Sequence, residues 1–255
     1  MRHMGAPEQV PGESVLARAA RILRAFTPDE PELSVSEIGR RARLHVATAS
    51  RLIAAMVRQG LLDRSAAGGV RIGVRLWELA QRASPTLGLR EAAMPFLEDL
   101  HAVIGHHVQI GVLEGSEVLF VERLSARDAV INVTRVAGRL PLHASSAGLA
   151  LLAFAPPELQ ETVLSGPLRA YTDATVTTAD RLRGVLAGIR HQGYVICPGH
   201  IHPDATGVAV PIRSGSAPAG PVVAALSVIV PNDGRASGAV PALRATARGI
   251  ARALR

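Results

Sequence analysis

The sequence predicts a mixed α/β chain of the α+β kind, built as two domains joined by a helix. Three observations predict it. Residues 14–74 carry short capped helices followed by a glycine-tipped pair of strands. The Ser84-Pro85 step then interrupts a helical pattern, because the residue before a proline is pushed out of helical conformation. Beyond it, apolar runs of strand length alternate with helices, a mixture that packs as a mostly antiparallel sheet covered by helices.

The first helix is capped by Ser14 and carries Val15, Leu16, Ala19, Ile22, Leu23 and Phe26 as an apolar stripe. A second helix opens on Ser34 and Glu37 at capping-box spacing. Val35, Ile38 and Ala42 share its inner face, which leaves Glu37, Arg40 and Arg41 toward solvent. Arg43, Leu44 and His45 form a turn, and a third helix resumes at about Val46 with Ala49, Leu52, Ile53, Met56 and Val57 at helical spacing. Gly60 supplies its stop. Residues 61–64 and 70–73 then flank a Ser-Ala-Ala-Gly-Gly tip as a two-stranded ribbon.

Two short helices, a tight turn and a following ribbon make a winged helix-turn-helix, a fold that binds double-stranded DNA. Thr48, Ser50 and Arg51 face outward from the N-terminal half of the third helix, the part that meets base edges and phosphates in the major groove. Arg51 is placed for phosphate or guanine, and Arg43, Arg58, Arg64 and Arg71 for the backbone, which positions the domain without reading sequence. Val46 offers at most a thymine-methyl contact. An ordinary helical hairpin would share the apolar pattern, so charge decides. Residues 14–82 hold twelve arginines against six acids, whereas the rest of the chain holds sixteen against fifteen. A polyanionic partner accounts for that asymmetry.

Composition bounds the remainder. With 255 residues, 48% of them apolar, the chain can build two cores. No run of eighteen apolar residues is present, and the N-terminus lacks the apolar stretch of a secretory signal, so the expectation is a cytoplasmic protein without a membrane partner. Residues 1–13 are expected to be disordered. The single cysteine, Cys197, excludes an internal disulfide framework.

The expected domains are the winged helix-turn-helix at 14–74, a linker helix at 75–88 and a second domain at 89–255. In the last, a helix runs from about Leu89 to Ile104. Strands are expected at His107–Leu113, Glu117–Leu124, Ile131–Val136, Tyr194–Cys197, Gly207–Ile212 and Val222–Val230. Helices are expected at Ser146–Ala155, Pro157–Leu164, Ala179–Gln192 and from about Ala239 to the C-terminus.

Several separated blocks carry a resemblance that covers nearly the whole chain: Thr48-Ala49-Ser50-Arg51-Leu52, Arg71-Ile72-Gly73-Val74-Arg75-Leu76, Leu140–Gly148, and Pro211-Ile212-Arg213 followed by Val222–Val228. In these the chain resembles the IclR family of bacterial transcriptional regulators. The resemblance implies a GAF/PAS-like effector-binding domain after the linker helix, and homodimers or homotetramers on operator DNA. It implies a regulator, with repression as the default role; a DNA-binding domain and no nucleophile signature around Cys197 lead to the expectation of neither an enzyme nor a cofactor. A symmetric dimer requires a roughly palindromic operator.

The residues of the second domain are compatible with a sensor for a small organic acid. Ser146, Ala147 and Gly148 open a helix, where free N–H groups and the helix dipole favour an anion. A plain capped helix in which Gly148 only allows close packing is the alternative. The resemblance adds Cys197, Gly207, Ser227 and Ile229 to the effector pocket. Cys197 stands where relatives often have an acid, Gly207 where they often have a cysteine and Ile229 where a second serine is frequent. A less acidic pocket suited to a larger, more apolar or aromatic acid follows. Cys197, His200 and His202, with His143 as a fourth, offer ligand types for a metal-responsive regulator, and Cys197 with a histidine offers the groups of a hydrolase nucleophile. Their spacing and surroundings match neither pattern closely.

Overall fold

A computed structural model describes residues 13–83, 85–214 and 220–254. The expected disordered segment 1–13 thus lies, except for Glu13, outside the described residues. The chain divides into two compact units, residues 1–84 and 85–255. Among the described residues no helix is long and apolar enough to cross a membrane.

The first unit holds α1 (Val15–Arg24), β1 (Glu32–Leu33), α2 (Val35–Arg41), α3 (Val46–Arg58), β2 (Leu62–Arg64), β3 (Val70–Ile72) and α4 (Val74–Ala83). Ile22, Ile38, Ile53 and Leu62 are fully buried where the first three helices meet the ribbon. Each such side chain contributes roughly 1.5–3 kcal/mol through its removal from water. The caps follow from the sequence: Ser14 Oγ accepts from the Ala17 N–H and Ser34 Oγ from the Glu37 N–H, at 3.1 and 3.2 Å.

Three features of this unit differ from expectation. The stripe of α1 begins later than its composition suggests, since Val15 and Leu16 are 57% and 81% exposed. The capping box is half made: the Glu37 carboxylate turns to the Arg40 and Arg41 guanidiniums, a charge-assisted contact stronger than a bond to the Ser34 amide. Arg41 is therefore drawn inward, also reaching Glu30 at 2.7 Å and the Ala25 carbonyl at 3.1 Å. The ribbon also gains a third strand, β1, which pairs antiparallel with β3 in the order β1-β3-β2. Two residues are too short a run for alternation to announce.

The second unit is a six-stranded antiparallel sheet with helices on both faces. Its elements are α5 (Pro85–Ile104), β4 (His107–Glu114), β5 (Glu117–Leu124), β6 (Arg139–Pro141), α6 (Ser146–Leu152), α7 (Pro157–Ser165), α8 (Ala179–Gln192), β7 (Val195–Pro198), β8 (Ala205–Arg213), β9 (Val222–Pro231), a 3₁₀ turn at Ala236–Ala239 and α9 (Val240–Ala253). Strand order is β6-β5-β4-β9-β8-β7. Period-two alternation splits the sheet cleanly. Val108, Ile110, Val208, Val210, Leu226 and Val228 pack toward α5 and α9. Cys197, Ala209 and Ala225 face the side covered by α6 and α8.

Helix α5 begins at Pro85, four residues before the expected Leu89, because proline's fixed φ and missing N–H suit the first turn of a helix. The linker helix is accordingly α4, shorter than the expected 75–88. The expected strand at Ile131–Val136 has no ladder partner, and β6 at Arg139–Pro141 takes the edge beside β5 instead. Ile131, Val133 and Val136 are about half exposed while Asn132 and Thr134 turn inward. Side chains from β4 and β5 pin this segment. The His107 Nε2–H donates to the Val130 carbonyl at 2.5 Å, the Arg123 guanidinium donates to the Thr134 carbonyl, and Gln109 accepts from Asn132 and Thr134.

Candidate DNA-binding face and ligand cavity

In the first unit the turn between α2 and α3 is built by Arg43 at φ 52° and by the Leu44 N–H donating to the Gly39 carbonyl at 2.8 Å. A left-handed arginine is uncommon, and it lets the chain reverse within three residues. His45 Nδ1 then accepts from the Ala47 N–H at 3.3 Å, capping α3. Ala49, Ile53 and Met56 bury the inner side of α3, so Val46, Thr48, Ser50 and Arg51 fall on or beside its outer side. Val46 is half exposed, Arg51 exposed, and Thr48 and Ser50 partly buried.

Arg43, Arg51, Arg58, Arg64 and Arg71 are all exposed and form no ion pair among the described residues. Arg40 and Arg41, by contrast, are committed to Glu37 and Glu30. Hydrogen bonds from Arg40 and then Arg41 hold the Glu37 carboxyl down at about 2. Arg71 lies on β3 between Glu32 and Asp63 of the neighbouring strands, so its cross-strand neighbours are acidic. The arrangement leaves one helix face, a turn and a ribbon carrying free guanidiniums, a form that fits a phosphate backbone.

In the second unit a cavity, partly open to solvent, lies on the α6 face of the sheet. Four of the seven expected effector residues line it: Ser146, Cys197, Gly207 and Ile229. Ala147 and Gly148 are buried within α6 and do not line it. Gly148 is needed for packing, since a Cβ there would stand 2.7 Å from the Leu142 backbone. The helix cap is Ser145, whose Oγ accepts from the Gly148 N–H at 3.1 Å. Ser227 is fully buried on β9 opposite Gln109, with its Oγ unpartnered, and likewise does not line the cavity.

No Asp, Glu or Arg lines the cavity among the described residues, and its only titratable bases are His200 and His202. Burial pushes His200 below the usual histidine range, and the nearby Arg181 adds to this; its Nδ1 has no partner. Burial pushes the Cys197 thiol up to about 12, so with nothing bound it is protonated at neutral pH. Cys197, His143, His200 and His202 do not come together as a metal-holding group among the described residues. The His143 Nε2–H donates to the Arg169 carbonyl at 3.0 Å, and His202 Nδ1 accepts from the Asp204 N–H. No group of three or more potential ligands that could hold a metal exists among the described residues.

Gln109, Asn132 and Thr134 also line the cavity, and sequence reasoning missed all three. The signal was present: a polar residue alternates with apolar ones from Ile131 to Thr134, and the polar side is the inner one.

Comparison with known proteins agrees with both units. Residues 15–66 match the IclR helix-turn-helix domain, and residues 81–254 match the family described as bacterial transcriptional regulator IclR C-terminal. The chain is similar to an IclR homolog from Microbacterium hydrocarbonoxydans whose crystal structure is complexed with 4-hydroxybenzoate. The two are 49% identical with a TM-score of 0.90, over 94% of this chain and 99% of that one. An IclR homolog from Microbacterium sp. strain HM58-2 is 47% identical with a TM-score of 0.61, over 93% and 96%. The HTH-type transcriptional regulator Rv1719 of Mycobacterium tuberculosis is 33% identical over 71% of this chain and 70% of its own. A helix-turn-helix domain followed by this effector-domain fold, matched over most of its length, places the chain in the IclR family of bacterial transcriptional regulators.

Proposed function

We propose that this regulator senses a small aromatic acid in the cavity of its second unit and thereby changes its affinity for a palindromic operator, acting in the cytoplasm as a repressor by default. The observation that carries the ligand class is the relative of 49% identity complexed with 4-hydroxybenzoate. The cavity's chemistry supports it: aliphatic and thiol side chains from Leu140, Cys197 and Ile229 suit a ring, while His200, His202 and the start of α6 offer donors to a carboxylate.

DNA is engaged through Arg51, Thr48 and Ser50 of α3, with Arg43, Arg58, Arg64 and Arg71 on the backbone and Val46 at a thymine methyl. A homodimer or homotetramer covers the exposed Val74, Trp77 and Leu79 of α4. Ligand binding that favours one dimer arrangement alters the spacing of the two α3 helices, and spacing sets operator affinity. In vitro selection from random duplexes is expected to yield an inverted repeat, and 4-hydroxybenzoate is expected to shift the affinity for it in an anisotropy titration. Asymmetric selected sites, or an affinity indifferent to aromatic acids, would overturn this reading.

A further inference from the structure

Resting on that reading of the cavity as an aromatic-acid site, we infer that Gln109 selects for a neutral hydrogen-bonding substituent, such as a phenolic hydroxyl, at the end of the ligand remote from its carboxylate. The side chain is 1% exposed, at the wall of the cavity. Its Oε1 is fully used: the Thr134 hydroxyl lies 2.6 Å from it and the Asn132 amide donates to it at 3.1 Å. Asn132 Oδ1 accepts in turn from the Thr134 N–H at 3.0 Å. This network fixes the orientation of the Gln109 amide, carbonyl toward the loop and NH₂ away from it. The Nε2 group donates to no described residue. At the cavity wall these donors are met by whatever fills the cavity, and a ligand that displaces water there without accepting from them loses those hydrogen bonds.

The position fits the far end of a ligand. Gln109 is on β4, and Gly207, beneath Ser146, is on β8 with β9 between them. Two strand spacings separate them, roughly 10 Å, with one further step along the strands. A ring with its carboxylate near α6 and His200 therefore points its opposite substituent at Gln109. The substituent read there is neutral. Arg123 lies beside Gln109 in register, but its guanidinium is turned to the Thr134 carbonyl and does not line the cavity. His107, on the same strand, is pushed below the usual histidine range chiefly by burial, with Arg123, His106 and His101 adding to this. A second carboxylate would find donors there but no lining cation, and its desolvation would go unanswered. A phenolic oxygen accepts from Gln109 without that cost. Sites that hydrogen-bond a ligand hydroxyl discriminate strongly against the analogue lacking it, because the buried partner is then left unpaired.

Isothermal titration of the full chain with 4-hydroxybenzoate and with 4-methylbenzoate, its near-isostere, tests the inference. The wild type should bind the hydroxy acid at least tenfold more tightly. Gln109→Leu should erase that preference while 4-methylbenzoate binding is kept or improved, which also reports that the variant is folded. Asn132→Ala, a change on the loop that releases the amide orientation, should reduce the preference severalfold. Equal affinity of the wild type for both acids overturns the role of Gln109 and leaves the aromatic-acid reading standing. A preference that survives both substitutions also overturns it. Binding of neither acid overturns the two together.

Discussion

Gly207 lies directly beneath Ser146: a Cβ on Gly207 would stand 2.6 Å from Ser146 Oγ and 3.1 Å from its Cβ. The hydrogen-only side chain on β8 is what lets the first turn of α6 approach the sheet and the cavity reach its present shape.

Gly207→Ala should therefore displace the start of α6, at a cost of about 1–3 kcal/mol by overpacking. Gly207 pairs in register with Cys197 and with Ile229, so the strand itself tolerates the change and the clash is confined to α6. A lowered urea midpoint together with weakened binding of aromatic acids is expected. An unchanged midpoint would mean that Ser146 moves freely.

Arg51 projects from the outer side of α3 without an acidic partner. Arg51→Ala should weaken binding to a selected operator by about 1–3 kcal/mol, read by fluorescence anisotropy. Arg64→Ala, on the wing, should weaken all duplexes alike and lower the salt dependence by about one unit of slope. An Arg51 variant with unchanged affinity would remove this face of α3 from the interface.

Cys197 should resist thiol reagents in the folded protein. With its thiol at about 12, the thiolate fraction at pH 8 is roughly 10⁻⁴, and the residue is buried besides. Reaction with Ellman's reagent should be slow and should accelerate on addition of urea. Rapid stoichiometric labelling without denaturant would contradict the placement of this side chain.

His107 and His200 both titrate below the ordinary histidine value, chiefly because burial disfavours the charged ring. Between the folded and unfolded values the unfolded chain binds more protons, so stability rises with pH there. Their contribution is complete above about pH 6.5 and is lost as pH falls below it. The urea midpoint followed by circular dichroism should be level from pH 7 to 8 and lower at pH 5.5. His107→Gln should lessen that drop; a midpoint independent of pH in both proteins would count against the neutral buried imidazoles.

The helix-turn-helix unit was legible because its determinants are local. Caps at Ser14 and Ser34, the 3.6-residue stripe of α3 and the stop at Gly60 act within a few residues of themselves, and an excess of arginine is a matter of counting. The family resemblance was legible for the same reason, since short blocks carry it. Glu37 shows where local reasoning ends: its spacing to Ser34 announced a reciprocal cap, but two guanidiniums compete for the same carboxylate and win. The cavity was legible only in part. Ser146, Cys197, Gly207 and Ile229 reach it, whereas Ala147 and Gly148 serve packing and Ser227 stays behind the wall. Residues 131–136 have the composition of a strand, yet whether a strand forms depends on a partner edge, and β6 occupies it. What the sequence by itself determined is the order, type and polarity of the elements, because these follow from periodicity and caps. What tertiary structure alone decided is which side of the 131–136 segment faces inward and that Gln109 meets Asn132 and Thr134, more than twenty residues away in the chain, because strand pairing and packing, unlike helix caps, join residues that no local pattern connects.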